Sequence, residues 1–157
     1  MGNGYPLGVV VTSPEILNAF VKATDLFSTF GGNPVACSAG MAVLDVIENE
    51  DLITNACETG EYLRQGIRSL MSKYSIIGDV RGQGMLAGVE LVRDRDTLEP
   101  ADKETDRLLD LLKDNGVFAG SEKPPFFNVL KVRPPMIFQK EHVDILIDAL
   151  ERSLEVL

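Results

Sequence analysis

A chain of 157 residues with 45% apolar and 25% charged side chains has the composition of an ordinary globular domain and the length to bury a core. Its net charge of −9 repels polyanions, and no local basic patch offsets that field, so nucleic acid is excluded as a partner. The single histidine, His142, leaves no His-based metal site or Ser/His/Asp triad, and no run of about 18 apolar residues reads as a membrane span.

In chain order, Met1-Gly2-Asn3-Gly4-Tyr5-Pro6 has neither a basic n-region nor an apolar h-region and is no signal peptide. It is a turn-rich opening that reads like the middle of something. Residues 7–12 (LGVVVT) are a β-branched run and predict a buried strand. Ser13-Pro14-Glu15 supplies an N-cap, a first-turn proline and a first-turn acid for a helix ending near Ala23. Ser28-Thr29-Phe30-Gly31-Gly32 predicts a loop. Asn33-Pro34 opens the next helix, whose small residues Ala36, Ala39, Gly40 and Ala42 predict close packing against a neighbour. A polar break at Glu48-Asn49-Glu50 precedes a longer helix carrying Leu52, Ile53, Ala56, Leu63, Ile67, Leu70 and Met71.

From Ser75 the period changes. Residues 76–80 read as a strand, Arg81-Gly82-Gln83-Gly84 as a turn, and residues 85–92 as the second strand of a hairpin with Glu90 on one face. Residues 93–100 predict a charged loop and residues 103–113 an amphipathic helix stopped by Asn115-Gly116. Val117-Phe118-Ala119 reads as a short strand, residues 121–127 with Pro124-Pro125 as a loop, and residues 128–132 as a strand ended by Arg133-Pro134-Pro135. Residues 141–157 form the last helix, aligning Val143, Leu146, Ile147, Leu150 and Leu154. The fold class is therefore α/β: a strand–helix piece over residues 1–33, then an α+β unit over residues 34–157 with a small, mainly antiparallel sheet covered by helices on one face. Cys37 and Cys57 sit among helix-type residues with no metal-like neighbours, which predicts two buried thiols in a reducing, cytoplasmic compartment.

Spacing gives three chemical signals. Gly2-Asn3-Gly4 is either a plain turn or a close backbone approach to a ligand. Ser28 to Pro34 combines two hydroxyls, two flexible backbone positions and a helix start, which suits an anion as well as a simple capped loop. Arg133, pinned by two prolines at a strand end, suits either a bidentate carboxylate or phosphate contact or a surface ion pair.

In order, Gly2-Asn3-Gly4-Tyr5-Pro6-Leu7-Gly8, Ser28-Thr29-Phe30-Gly31-Gly32-Asn33-Pro34, Val80-Arg81-Gly82-Gln83-Gly84-Met85 and Leu130-Lys131-Val132-Arg133-Pro134-Pro135 resemble four blocks of the class III (ω-amino) pyridoxal-phosphate aminotransferases. The wording Asn128-Val129-Leu130-Lys131 is most similar to the branch holding alanine–glyoxylate aminotransferase-like enzymes and phosphoethanolamine-type phospho-lyases. The resemblance implies the C-terminal portion of a fold-type I enzyme that works as a homodimer with its active site at the interface. It makes residues 1–33 a remnant of the large cofactor-binding domain, and residues 34–157 an interdomain helix and the C-terminal small domain. It implies that Ser28 and Thr29 bind the phosphate of pyridoxal 5'-phosphate held by the neighbouring subunit. It implies that Arg133 grips the carboxylate of a small-molecule amino donor or oxo-acid acceptor. Arg81 matches a family arginine whose role is structural or functional.

One departure is expected to matter. The family's Schiff-base lysine would fall two residues before Met1, and Lys22, Lys73, Lys103, Lys113, Lys123, Lys131 and Lys140 all lie in other contexts. No catalytic residue is assigned, and the chain by itself is expected to be inactive. Three readings stand: an aminotransferase, a phospho-lyase of the same fold acting on a phosphorylated amino alcohol, and a non-catalytic association module.

Overall fold

A computed structural model describes residues 1–122 and 127–157. The Pro124-Pro125 loop of the sequence reading lies outside the described residues. Backbone packing divides the chain into two compact units, Met1–Glu50 and Asp51–Leu157.

The first unit is built on two capped helices. Before α1 (Pro14–Ala23), Ser13 is extended and its Oγ accepts the Ile16 N–H at 3.5 Å. Before α2 (Pro34–Asn49), Asn33 Oδ1 accepts the Ala36 N–H at 3.0 Å. In both, the proline that follows the cap sits where its missing N–H costs nothing. Residues 7–12 form no strand, contrary to the sequence reading, and Val10 and Val11 are 88% and 93% exposed. A strand exists only through a neighbour's ladder, and among the described residues none pairs with this run. Its one anchored side chain is Leu7, whose Cδ2 would lie 2.7 Å from a Cβ placed on Gly40. The small-residue face of α2 is thus buried at Ala36 and Gly40, while Ala42 is exposed.

The second unit follows the order α3 (Leu52–Leu70), β1 (Ile77–Gln83), β2 (Leu86–Asp94), β3 (Glu99–Pro100), α4 (Asp102–Asp114), β4 (Gly120–Ser121), β5 (Val129–Val132) and α5 (Lys140–Glu155). The sheet runs β1-β2-β5-β4, with β3 pairing to the end of β2, and every pairing is antiparallel. The strand period of two sends Ala87, Val89 and Leu91 of β2 and Leu130 and Val132 of β5 inward. There they meet Leu63 and Ile67 of α3, Leu108 and Leu112 of α4, and Val143 and Leu150 of α5. Each fully buried leucine of this set contributes about 1.5–3 kcal/mol of transfer free energy. This is the mixed α/β fold with a helix-covered antiparallel sheet that the pattern predicts.

Local boundaries differ where hydrogen bonds overrule pattern. β1 continues through Arg81-Gly82-Gln83, and the turn is shorter than read, at Gly84-Met85. Gly82 makes this possible, because a Cβ there would lie 1.9 Å from the Leu86 carbonyl oxygen. Val117-Phe118-Ala119 is not a strand. The Val117 N–H is taken up closing α4 onto the Leu112 carbonyl at 2.8 Å, so pairing starts only at Gly120. The charged stretch 93–100 holds β3 as well as a turn in which Asp94 Oδ1 accepts the N–H groups of Asp96 and Thr97. Both cysteines are exposed, not buried, because Cys37 and Cys57 fall on the solvent sides of α2 and α3.

Candidate functional site

The loop ahead of α2 is tightly folded on itself. Ser28 Oγ accepts the Gly31 N–H at 2.9 Å, and Asn33 Nδ2 donates to the Phe30 carbonyl at 2.9 Å. A Cβ on Gly31 would stand 2.8 Å from Ser28 Oγ, and Gly32 has φ +68°, so the two glycines are what this turn requires. Ser28 and Thr29 are exposed. Ser28 uses its oxygen as acceptor within the loop, which leaves its hydroxyl proton to donate outward. The helix behind is 16 residues long with no acid in its first turn, so its N-terminal field is uncompensated. Exposed hydroxyl donors at such a helix start fit a phosphate monoester.

In the second unit, Arg133 follows the last residue of β5 and precedes two prolines. It is exposed, and among the described residues it makes no hydrogen bond or ion pair, so the surface-ion-pair alternative finds no partner there. It lines a cleft of about 360 Å³ with Phe118, Pro135, Phe138, His142 and Ile145. Lys131, one strand period earlier, lines the same cleft but pairs with Glu122 at 3.1 Å. Among the described residues Arg133 is therefore the unpaired guanidinium of a largely apolar recess, an arrangement that favours an organic anion with a fixed carboxylate or phosphate.

Arg81 is differently placed. Its Nη1 contacts Asp79 at 2.8 Å and Glu90 at 2.5 Å, and these two carboxylates hold the guanidinium's pKa above its ordinary value. The Gly2-Asn3-Gly4 motif is a tight turn closed by a Tyr5 N–H to Gly2 carbonyl bond of 3.1 Å, with φ positive at Asn3 and Gly4.

Several residues around the cleft carried no usable sequence signal. Phe118 was hidden in an apparent strand. Asn55 and Thr59 look like ordinary polar positions on a helix, yet Asn55 Nδ2 donates to the carbonyls of Met136 at 2.6 Å and Phe138 at 3.0 Å. These partners lie 81 and 83 residues away, beyond any local pattern. Ser28 and Thr29 belong to the first unit and Arg133 to the second. Among the described residues no group of three or more His, Cys, Asp or Glu side chains could hold a metal ion, and no helix is long and apolar enough to cross a membrane.

The family model "Aminotransferase class-III" matches residues 1–154. The chain is 46% identical to alanine–glyoxylate aminotransferase 2 homolog 2, mitochondrial, of Arabidopsis thaliana, across 98% of this chain and 32% of that protein. It superposes with a TM-score of 0.91 and 39% identity on an Arthrobacter phospholyase solved in complex with phosphoethanolamine, covering 100% of this chain and 37% of that one. A PLP-bound amine transaminase from an uncultivated Pseudomonas species superposes with a TM-score of 0.76 at 31% identity, covering 87% and 31%. The chain belongs to the class III aminotransferase family, whose members use pyridoxal phosphate. It spans about a third of the length of the curated relatives it matches.

Proposed function

We propose that this chain is the C-terminal portion of a PLP-dependent aminotransferase that moves an amino group between an amino donor and an oxo acid. The observation that carries the reading is Arg133, without a partner among the described residues and carried on a proline-stiffened backbone in a largely apolar cleft, within a chain that matches the family over residues 1–154. Arg133 binds the substrate carboxylate through two parallel N–H···O contacts. Ser28 and Thr29 donate their hydroxyls to the cofactor phosphate of the neighbouring subunit in a homodimer, and the N-terminal end of α2 favours the same negative charge. The bound cofactor supplies the electron sink for amino-group exchange. Residues 1–33 serve the large domain, and residues 34–157 form the interdomain helix and the small domain. None of the chain's lysines sits in the Schiff-base context, so the chain alone does not transaminate. A cytoplasmic location completes the proposal.

A second reading, a phospho-lyase acting on a phosphorylated amino alcohol, is favoured by the superposition on the phospholyase bound to phosphoethanolamine. Arg133 would then meet a phosphate instead of a carboxylate. The test is Arg133→Gln in the holoenzyme that contains this chain. Loss of a charge-assisted contact raises KM for a carboxylate-bearing substrate about 10- to 100-fold. An unchanged KM refutes the carboxylate role. Phosphate release from phosphoethanolamine without any oxo acid supports the second reading over the first.

A further inference from the structure

We propose that Asn55 is a positioning residue for Arg133. The proposal rests on the reading of Arg133 as the substrate-anion grip. Among the described residues Arg133 makes no hydrogen bond or ion pair, so its aim depends on the backbone that follows. That backbone is Pro134-Pro135, in which both φ angles are locked by their rings, and then Met136 to Phe138. The Phe138 N–H closes onto the Pro135 carbonyl at 3.0 Å, which makes the segment a compact turn. The anchor of this turn is Asn55 on α3. Its single amide nitrogen donates to the Met136 carbonyl at 2.6 Å and the Phe138 carbonyl at 3.0 Å.

The amide faces only one way. Thr59, one helical turn on and buried, donates its hydroxyl to Asn55 Oδ1 at 3.2 Å. A flipped amide would set its oxygen against two carbonyl oxygens and its NH₂ against the hydroxyl, losing both carbonyl contacts at once. The two carbonyls therefore select the orientation, Thr59 braces the amide from behind through Oδ1, and Asn55 holds the turn. On the far side, the Gln139 N–H donates to His142 Nδ1 at 3.0 Å, so the segment enters α5 through a fixed cap. The segment after Arg133 is thus held at both ends, and two stiff prolines carry that constraint back to the Arg133 backbone, which sets where its side chain starts.

The experiment uses the holoenzyme, two substrate classes and a double-mutant cycle. In Asn55→Ala, KM for an amino acid substrate rises about 10-fold with kcat within about twofold, while KM for a primary amine lacking a carboxylate stays unchanged. Thr59→Val keeps the buried shape, removes the hydroxyl that braces the amide and gives the same selectivity at about threefold. In an Arg133→Gln background, Asn55→Ala has no further effect on KM. A KM rise equal for both substrate classes, or one that persists in full beside Arg133→Gln, overturns the positioning role. If Asn55→Ala does not fold, Thr59→Val alone decides by the same comparison. If Arg133→Gln leaves amino acid substrates untouched, the anion-grip reading itself fails. Selective loss in Arg133→Gln with none in Asn55→Ala and Thr59→Val sinks only the present inference.

Discussion

Gly60 offers a test in which helix propensity and packing predict opposite signs. It lies inside α3, where replacing glycine by alanine ordinarily stabilises by about 0.8–1.0 kcal/mol. Here a Cβ would fall 1.8 Å from the Gly84 carbonyl oxygen, 2.4 Å from its carbon and 3.1 Å from the Met85 nitrogen. All three are backbone atoms of the hairpin turn, so relief requires the turn to move away from the helix. That movement also stretches the 2.6 Å bond from Arg64 Nη1 to the Gly84 carbonyl. Arg64 is 6% exposed, and a buried guanidinium that loses an acceptor has no water to replace it. Overpacking of this kind costs about 1–3 kcal/mol and the charge-assisted bond about 1.5–3 kcal/mol. Against the propensity gain, Gly60→Ala is destabilised by about 1.5–5 kcal/mol, which lowers the melting temperature by at least about 3 °C. Thermal melts followed by far-UV circular dichroism measure it, with Gly66→Ala as the control. At Gly66 the nearest atoms are Ile147 Cδ1 and Cγ1, both at 3.1 Å, and a side chain can yield where a carbonyl cannot. The control should stay within about 1 kcal/mol of the parent. A Gly60→Ala melt equal to the parent's, or higher, would refute the close-approach argument.

Two other outcomes follow from the same geometry. Every residue of the main apolar cluster lies between Leu63 and Leu154, so removing residues 1–33 or 1–50 leaves a chain that still unfolds cooperatively in a thermal melt; a broad, featureless transition would count against this. Below pH 4.5 stability declines, because Arg64 holds the Glu61 carboxyl below its ordinary 4.5, Arg93 does the same for Glu104, and the turn N–H groups of Thr97 and Asp96 hold Asp94 below 3.8. A carboxyl depressed on folding stabilises fully above its unfolded pKa and loses that contribution as pH falls through the folded one. Melting temperature recorded from neutral to acid pH should fall less steeply in Glu104→Gln, and an identical slope would contradict the assignment.

The helices were legible because their signals are local. Ser13-Pro14 and Asn33-Pro34 declare their helix starts through a side chain and a ring, and both caps form as read. The sheet was legible in order but not in edges. Residues 7–12 have the composition of a strand, yet pairing is a property of two segments, and composition describes one. Gly82 reads as turn chemistry, whereas its bare backbone is what allows β1 to pass beneath Leu86. The exposed cysteines show the limit of a residue-type average, since helix face, not side-chain polarity, decided their position. Ser28, Thr29 and Arg133 read as anion-binding candidates from their residue types and neighbours, and all three are exposed. The carbonyl clamp of Asn55 was invisible, because it joins positions more than 80 apart through backbone atoms that every residue carries.

Arg95 shows how one side chain makes a corner cooperative. Its Nη2 lies within 2.6 Å of the Met71 carbonyl, 3.1 Å of Tyr74 and 2.9 Å of Ile77. The first two belong to the exit of α3 and the third to the start of β1, while Arg95 itself sits just past the end of β2. The last carbonyls of a helix ordinarily fray into solvent one by one. Here the carbonyls just past the helix share a cation with the neighbouring hairpin, so opening the end of α3 costs the hairpin its contact as well, and the two elements are expected to exchange their amide protons together.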